Sequence, residues 1–290
     1  MLWDAMVNFL KSWFIFPGLE WDLMLVAIGL AIAFGAVWLL GYWTPVFKKV
    51  WFWPVMVGSA FLTLLAVTFV QMPLQYYTDQ ALTNYWDRIT LAEWLLLTGI
   101  PTVLYSGLVQ EAAKLVPIAV WWRASGRNIT PGMGLVIGAA AGAGFGIFEA
   151  FWAHGNLFNA GWTTRFITLY GFDGIMTFWE RFFVVGFHIA ASALAGYGLA
   201  KGKWWQYYLI AAGLHALMYY SSVFLNYFLF VRGAAWLEVA YVEYYIAAVA
   251  VVVVVWAMVL RWRKDHEETR AEMVDQAETE KPAGEDITPV

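Results

Sequence analysis

The chain has 290 residues, of which 62% are hydrophobic and 19% are aromatic, whereas only 13% are charged. Soluble domains usually carry about a quarter charged residues, so this composition excludes an ordinary water-soluble enzyme and predicts an integral membrane protein. The absence of cysteine excludes disulfide bonds, thiolate metal ligands and a cysteine nucleophile. The net charge of -4 is concentrated in the C-terminal tail, and no nucleic-acid partner is expected.

The chain divides into three predicted parts. Residues 1–20 form an interfacial segment, because aromatic residues recur along it and Asp4 and Lys11 interrupt its apolar character. A transmembrane bundle over 21–262 follows, and then a polar cytosolic tail over 263–290. A span needs roughly 20 apolar residues, which predicts an all-α, polytopic transmembrane helical bundle of about seven spans. The predicted spans are 21–43, 50–72, 92–122, 132–153, 179–200, 204–228 and 237–260.

The third span, the long connections and the tail have further expected features. The third span is long, and Pro101 is expected to kink it or to separate a short re-entrant piece from a full span. The outer connections at about 73–91 and 154–178 are the longest and have the length to cover a site. The tail is acidic and polar, so we expect it to be disordered or loosely helical.

Basic residues predict the orientation, because cytoplasmic loops collect lysine and arginine. If the N-terminus lies outside and the C-terminus inside, nine basic residues fall at inner ends of spans and five at outer ends. The inner set is Lys48, Lys49, Arg123, Arg127, Lys201, Lys203, Arg261, Arg263 and Lys264, and the outer set is Lys11, Arg88, Arg165, Arg181 and Arg232. The sequence therefore predicts an N-out, C-in protein of the cell membrane.

A row of small residues marks the fourth span. Gly134, Gly138, Gly142 and Gly146 recur every four residues, and Ala150 continues the row. Small residues at this spacing form a groove that lets another helix approach closely. We therefore expect a tight helix crossing along this face.

Few ionisable residues lie near mid-span: Glu111, Lys114, Glu149, His188 and His215. Such groups usually face a protein interior or a water-filled cavity. Counted from the basic residues at the inner ends, Glu111, His188 and His215 lie roughly 18–20 Å into the membrane. Glu149 lies roughly 28 Å from the start of its helix, which is too high unless that helix is tilted or begins deeper.

This set of residues fits hydrolytic chemistry. Two histidines and a glutamate are a standard ligand set for zinc or another divalent metal, and they leave one position for water. A second carboxylate then moves the proton of that water. Without a metal, a glutamate–histidine pair activates water and the other histidine stabilises an oxyanion. Packing histidines and a structural Glu111–Lys114 ion pair are the simpler interpretations, and they stay open.

Four short stretches follow one another on successive predicted helices. They are Gln110-Glu111-Ala112-Ala113-Lys114, Phe145-Gly146-Ile147-Phe148-Glu149, the helix around His188, and Leu214-His215-Ala216-Leu217. In order and approximate spacing, over about residues 92–228, they resemble the motifs of PrsW-type intramembrane proteases, whose wider group includes type II CAAX prenyl proteases. Two positions depart from that pattern: Gln110 replaces the first glutamate of EExxK, and Tyr219 replaces a small amide or carboxylate.

The resemblance implies an intramembrane endopeptidase that cleaves a membrane-anchored protein, such as an anti-sigma-factor-like protein or a lipidated peptide. Glu111 would activate water, and Lys114 would orient the Glu111 carboxylate. His188 and His215 would bind a divalent metal or the oxyanion, and Glu149 would be the third metal ligand or a second acid. Two alternatives remain: a non-catalytic scaffold or pseudoprotease, favoured by Gln110 and Tyr219, and a proton-coupled carrier, which lacks the expected paired repeats.

Overall fold

The structure, a computed structural model, describes residues 1–42, 48–233 and 236–279, and every regular element in these ranges is helical. The α-helices of this part are α1 (Leu2–Ser12), α2 (Trp21–Leu39), α3 (Phe52–Ala66), α4 (Met72–Tyr85), α5 (Arg88–Glu93), α6 (Leu95–Thr98), α7 (Ile100–Ala124), α8 (Pro131–Asn159), α9 (Arg165–Tyr170), α10 (Met176–Ala200), α11 (Trp204–Asn226) and α12 (Trp236–Thr279). Two π-helical segments, Val67–Gln71 and Tyr227–Arg232, continue α3 and α11. The all-α prediction is confirmed.

Seven helical stretches among the described residues are long and apolar enough to cross a membrane, as predicted. They are Trp21–Tyr42, Phe52–Tyr85, Leu95–Ala124, Pro131–Asn159, Met176–Ala200, Trp204–Arg232 and Ala240–Arg263. The chain is thus an integral, multi-pass membrane protein. Its orientation stays a prediction.

The second span is much longer than its apolar run. The predicted connection 73–91 is helical over most of its length, because α4 extends this span to Tyr85. Polar residues in α4 suggested a loop, but two of them, spaced three residues apart, face α7. Gln75 Nε2 donates to a backbone carbonyl of α7 at 3.3 Å, and the Thr78 hydroxyl lies 3.1 Å from a tyrosine hydroxyl of α7. These hydrogen bonds to α7 satisfy polar side chains that would otherwise require contact with water.

The ends of the third and fourth spans also differ from the prediction. Pro101 does not kink a continuous helix, because α7 begins at Ile100 and the proline occupies its first turn. A proline is accommodated there, since its missing N–H has no partner in that turn. The break falls instead at Gly99, between α6 and α7. The connection 154–178 is shortened in the same way, because α8 continues to Asn159.

Both terminal segments contain helix within the described residues. The interfacial segment 1–20 contains α1, but Trp13 is only 2% exposed, and its ring stacks on Trp152 with 5.0 Å between centroids. The segment therefore packs partly on protein, because aromatic residues of α8 offer it a complementary surface. At the other end α12 continues as a helix to Thr279. Residues 280–290 of the predicted tail lie outside the described residues.

The helices α8 and α10 form the centre of the bundle, and the glycine row brings them together. A Cβ added to each of three glycines of α8 would collide with a backbone carbonyl oxygen of α10. The three contacts are Gly134 with Gly196, Gly138 with Ser192, and Gly142 with His188. Residue numbers fall on α10 as they rise on α8, so the helices run antiparallel. The predicted close crossing is confirmed.

The crossing gives a matched test of stability. Gly142→Ala places a methyl group against the α10 backbone, and overpacking of this kind costs about 1–3 kcal/mol. Gly213→Ala is the control, because a Cβ at Gly213 meets no atom within 4 Å. We expect the unfolding midpoint in detergent to fall for Gly142→Ala and to stay near wild type for Gly213→Ala. Equal midpoints for the two variants would contradict the described packing.

Candidate functional site

The site is built around an ion pair on one turn of α7. Lys114 Nζ donates a hydrogen bond to Glu111 Oε1, and both side chains are 0% exposed. Residues three apart share a helix face, and α8, α10 and α11 cover this face of α7. A lone charge buried in this way is costly, whereas a hydrogen-bonded pair is tolerated. The ion pair expected from the sequence is present.

His215 joins the pair from α11, with its Nδ1 2.7 Å from Glu111 Oε1. The carboxylate beside the Lys114 ammonium accepts this hydrogen bond, so His215 Nδ1 carries the proton. The lone pair of the neutral ring then lies at Nε2. This atom makes no hydrogen bond within the described residues, and it is not among their fully buried unpaired atoms. It is a free proton acceptor beside the cavity described below.

His188 is held in the opposite tautomer. Its Nδ1 lies 3.0 Å from Lys114 Nζ, which can only donate, so Nδ1 accepts. The proton of the neutral ring is then on Nε2, which donates to Glu149 Oε2 at 3.0 Å. A chain of hydrogen bonds therefore runs from Glu149 through His188 and Lys114 to Glu111 and His215.

Glu149 reaches this chain although its depth seemed too great. Gly142 lies beside the His188 carbonyl, and Glu149 is roughly two helical turns further along α8. Side chains of a helix lean toward its N-terminus. Because α8 and α10 are antiparallel, the side chains of Glu149 and His188 lean toward one another. The two side chains therefore meet, although the axial rise between their Cα atoms suggested that they were too far apart.

Arg181 is a site residue that the sequence analysis placed only among the outer basic residues. Its Nη1 lies 3.6 Å from Glu149 Oε2, and its Nη2 donates to Glu180 Oε1. Its spacing could have revealed it, since Arg181 precedes His188 by seven residues and therefore lies on the same face of α10. It adds a cation beside the carboxylate of Glu149.

A cavity of about 280 Å³ opens beside these groups. Its polar lining includes Glu149, Arg181, His188, His215 and Tyr219. Tyr219 follows His215 by one helical turn, on the same face of α11, and its hydroxyl makes no hydrogen bond within the described residues. A water in this cavity therefore meets an acceptor at His215 Nε2, with a hydroxyl donor one turn along the same helix.

Three residues have the geometry to hold a metal ion. One ligand atom from each of Glu111, His188 and His215 lies within 4.8 Å of the others, and all three residues are buried. This group differs from the predicted set, because Glu111 takes the place of Glu149. Two nitrogens and one oxygen fit a divalent cation such as zinc. However, Lys114 already contacts Glu111 and His188, so a metal ion would compete with its ammonium group.

Comparison of the chain with family models, with curated proteins and with solved structures gives no match. The resemblance to PrsW-type proteases stays a prediction.

Competition between Lys114 and a metal ion can be measured directly. Lys114→Met removes the ammonium and leaves Glu111 uncompensated, so a divalent cation should take its place. After equilibration with zinc and removal of the excess, we expect well under one zinc per chain in wild type and close to one in Lys114→Met. The double variant Lys114→Met, His188→Ala is the control and should lose the ion.

The contrary outcome is equally specific. One zinc per wild-type chain that disappears on His188→Ala would show that the metal, rather than the ammonium, occupies this position.

Proposed function

We propose that the protein is an intramembrane endopeptidase of the cell membrane, similar to PrsW-type proteases, that hydrolyses a peptide bond of a membrane-anchored protein. One observation carries the proposal: the carboxylate of Glu111 orients His215 so that the free Nε2 of this ring remains available beside a polar cavity. A histidine held in this way by a carboxylate is a general base.

The proposed reaction begins with water in the cavity. His215 Nε2 takes a proton from that water as its oxygen attacks the carbonyl carbon of the substrate. Glu111 stabilises the imidazolium that forms, and Lys114 keeps Glu111 charged. This assigns Glu111 an orienting role instead of direct water activation, because its oxygens face Lys114, His215 and, at 3.4 Å, the Ser192 hydroxyl.

The tetrahedral intermediate then collapses. The Tyr219 hydroxyl donates to the oxyanion, as a donor aimed at developing charge should. The His215 imidazolium returns its proton to the leaving amine nitrogen, the carbon–nitrogen bond breaks, and a carboxylic acid and an amine result. His188 and Glu149 fix the position of Lys114 and supply the outer part of the hydrogen-bonded chain.

A metal-assisted version uses the same residues. Glu111, His188 and His215 would hold a divalent ion, which acidifies water and polarises a carbonyl when bound. The contacts of Lys114 with two of these ligands favour the metal-free version.

The substrate class follows from the location of the site. The ion pair at its centre is fully buried within a bundle of membrane-spanning helices. A peptide bond reaches it only if the substrate is itself embedded in or anchored to the bilayer. By the resemblance, an anti-sigma-factor-like protein or a lipidated peptide fits this description.

A non-catalytic scaffold is the second candidate, and one observation favours it. The polar atoms of Lys114 and His188 bond mainly within the site, and Gln110 bonds to Gln71 at 3.1 Å in place of a second carboxylate. Such a network also stabilises helix packing without any reaction.

Cleavage in a host membrane separates enzyme from scaffold. The readout is the set of new protein N-termini that appear, by mass spectrometry, when the chain is expressed. Loss of a general base costs about 10²–10⁴-fold in rate, so His215→Gln and Glu111→Gln should abolish these termini at equal amounts of folded protein. His154→Gln is the matched control, because His154 is also 0% exposed but packs among phenylalanine rings away from the cavity.

Two results would change the assignment. Termini that persist in both His215→Gln and Glu111→Gln would contradict the mechanism. If wild type produces none and Gln110→Glu produces them, the fold of a protease has been retained for a scaffold role.

A further inference from the structure

A second cavity, of about 250 Å³, is also lined by Glu149 and lies on the side of the bundle that α1 and α4 form. We call it the amide pocket. Its polar lining includes Gln71, Gln75 and Gln110, and aromatic residues including Trp13 and Phe145 form much of the rest. Three carboxamides and several aromatic rings around one space are a specific combination in a membrane bundle.

Two of the carboxamides, those of Gln71 and Gln110, form a directed network that leaves one buried oxygen without a donor among the described residues. Gln71 Nε2 donates to the Ser106 hydroxyl at 2.9 Å, and Gln110 Nε2 donates to Gln71 Oε1 at 3.1 Å. Gln110 Oε1 has no hydrogen-bond donor within the described residues, although Gln110 is only 4% exposed. A buried acceptor without a partner is unusual and costly. An N–H or O–H group that reached this oxygen from the pocket would remove that cost.

The backbone at this wall is also irregular. Gln71 ends the π-helical segment Val67–Gln71 within the second span. Single π-helical turns interrupt α-helices rarely and often lie at functional sites. Here the segment precedes the turn of α4 that brings Gln75 to the same wall.

We propose that the amide pocket binds the main chain of an extended peptide segment, whose backbone N–H donates to Gln110 Oε1. This inference rests on the proposed function, since it describes the conformation in which that peptidase takes its substrate. A carboxamide matches a peptide group in having both a donor and an acceptor. Within an α-helix each interior N–H is already bonded to a carbonyl four residues earlier. Only an unwound segment has an N–H to offer.

The position of the pocket supports this occupant. Glu149, Trp152 and Tyr219 line both the amide pocket and the cavity beside His215. A main chain bound at Gln110 therefore continues toward the proposed base. The aromatic walls suit apolar substrate side chains, which point alternately to the two sides of an extended strand.

The test compares a capped peptide with three analogues that each lack one of its N–H groups. The probes are acetyl-alanyl-leucyl-alanine methylamide and its analogue methylated at the leucine nitrogen, together with the analogues methylated at each alanine nitrogen. Binding to the full-length protein in lipid nanodiscs is measured by calorimetry. One hydrogen bond changes affinity by about 2- to 10-fold, so wild type should bind one methylated analogue more weakly by this factor. Gln110→Leu should bind all the peptides equally, and Gln80→Leu, a change on the exposed side of α4, should behave as wild type.

The absence of measurable peptide binding to wild type, or equal binding of all analogues to wild type, would overturn the proposal and leave water as the partner of Gln110 Oε1. The wild-type comparison needs no variant, so misfolding of Gln110→Leu cannot obscure it. If wild type cleaves substrate but shows no N–H preference, this inference alone is refuted. If wild type shows the preference but does not cleave, the proposed function alone is refuted.

Discussion

The site depends on the hydrogen bonds that the buried ammonium of Lys114 makes to its neighbours. The ammonium can donate three hydrogen bonds and accept none, and its side chain has no exposure to solvent. It must therefore face acceptors, which are Glu111 Oε1 and His188 Nδ1. These contacts keep the carboxylate charged and fix the protons of His188 and His215 on opposite ring nitrogens. The free acceptor at His215 Nε2 is a consequence of this single cation.

The packing of α8 against α10 provides the geometry for that chemistry. Glycines of α8 bring the two backbones into direct contact, and Gly142 lies against the carbonyl of His188. Any side chain larger than hydrogen at Gly142 would collide with the backbone of His188 and force it to shift. Close backbone packing and the hydrogen-bonded chain are thus two parts of one arrangement, in which small residues allow polar residues from neighbouring helices to meet.

Much of this arrangement was predictable from the sequence, for identifiable reasons. The thickness of the bilayer sets the length of an apolar run, which gave the seven spans, and equal depths of Glu111, His188 and His215 indicated that they converge. Rise along the axis says nothing about the direction in which side chains lean, so the place of Glu149 was harder to predict. Arg181 was assigned to an outer end because a charge alone does not reveal a partner on another helix. The polar residues of α4 suggested a loop for the same reason.

The site depends on where the protons of the two histidine rings lie, and NMR spectroscopy measures this. Nitrogen chemical shifts of ¹⁵N-histidine-labelled protein in lipid bilayers distinguish the two neutral tautomers from the imidazolium, and His215→Gln assigns the signal. At neutral pH we predict a proton on Nδ1 and a bare Nε2 for His215, together with the reverse tautomer for His188. A proton on Nε2 of His215, or a doubly protonated His215 ring, would contradict this assignment, because His215 could then not accept a proton from water.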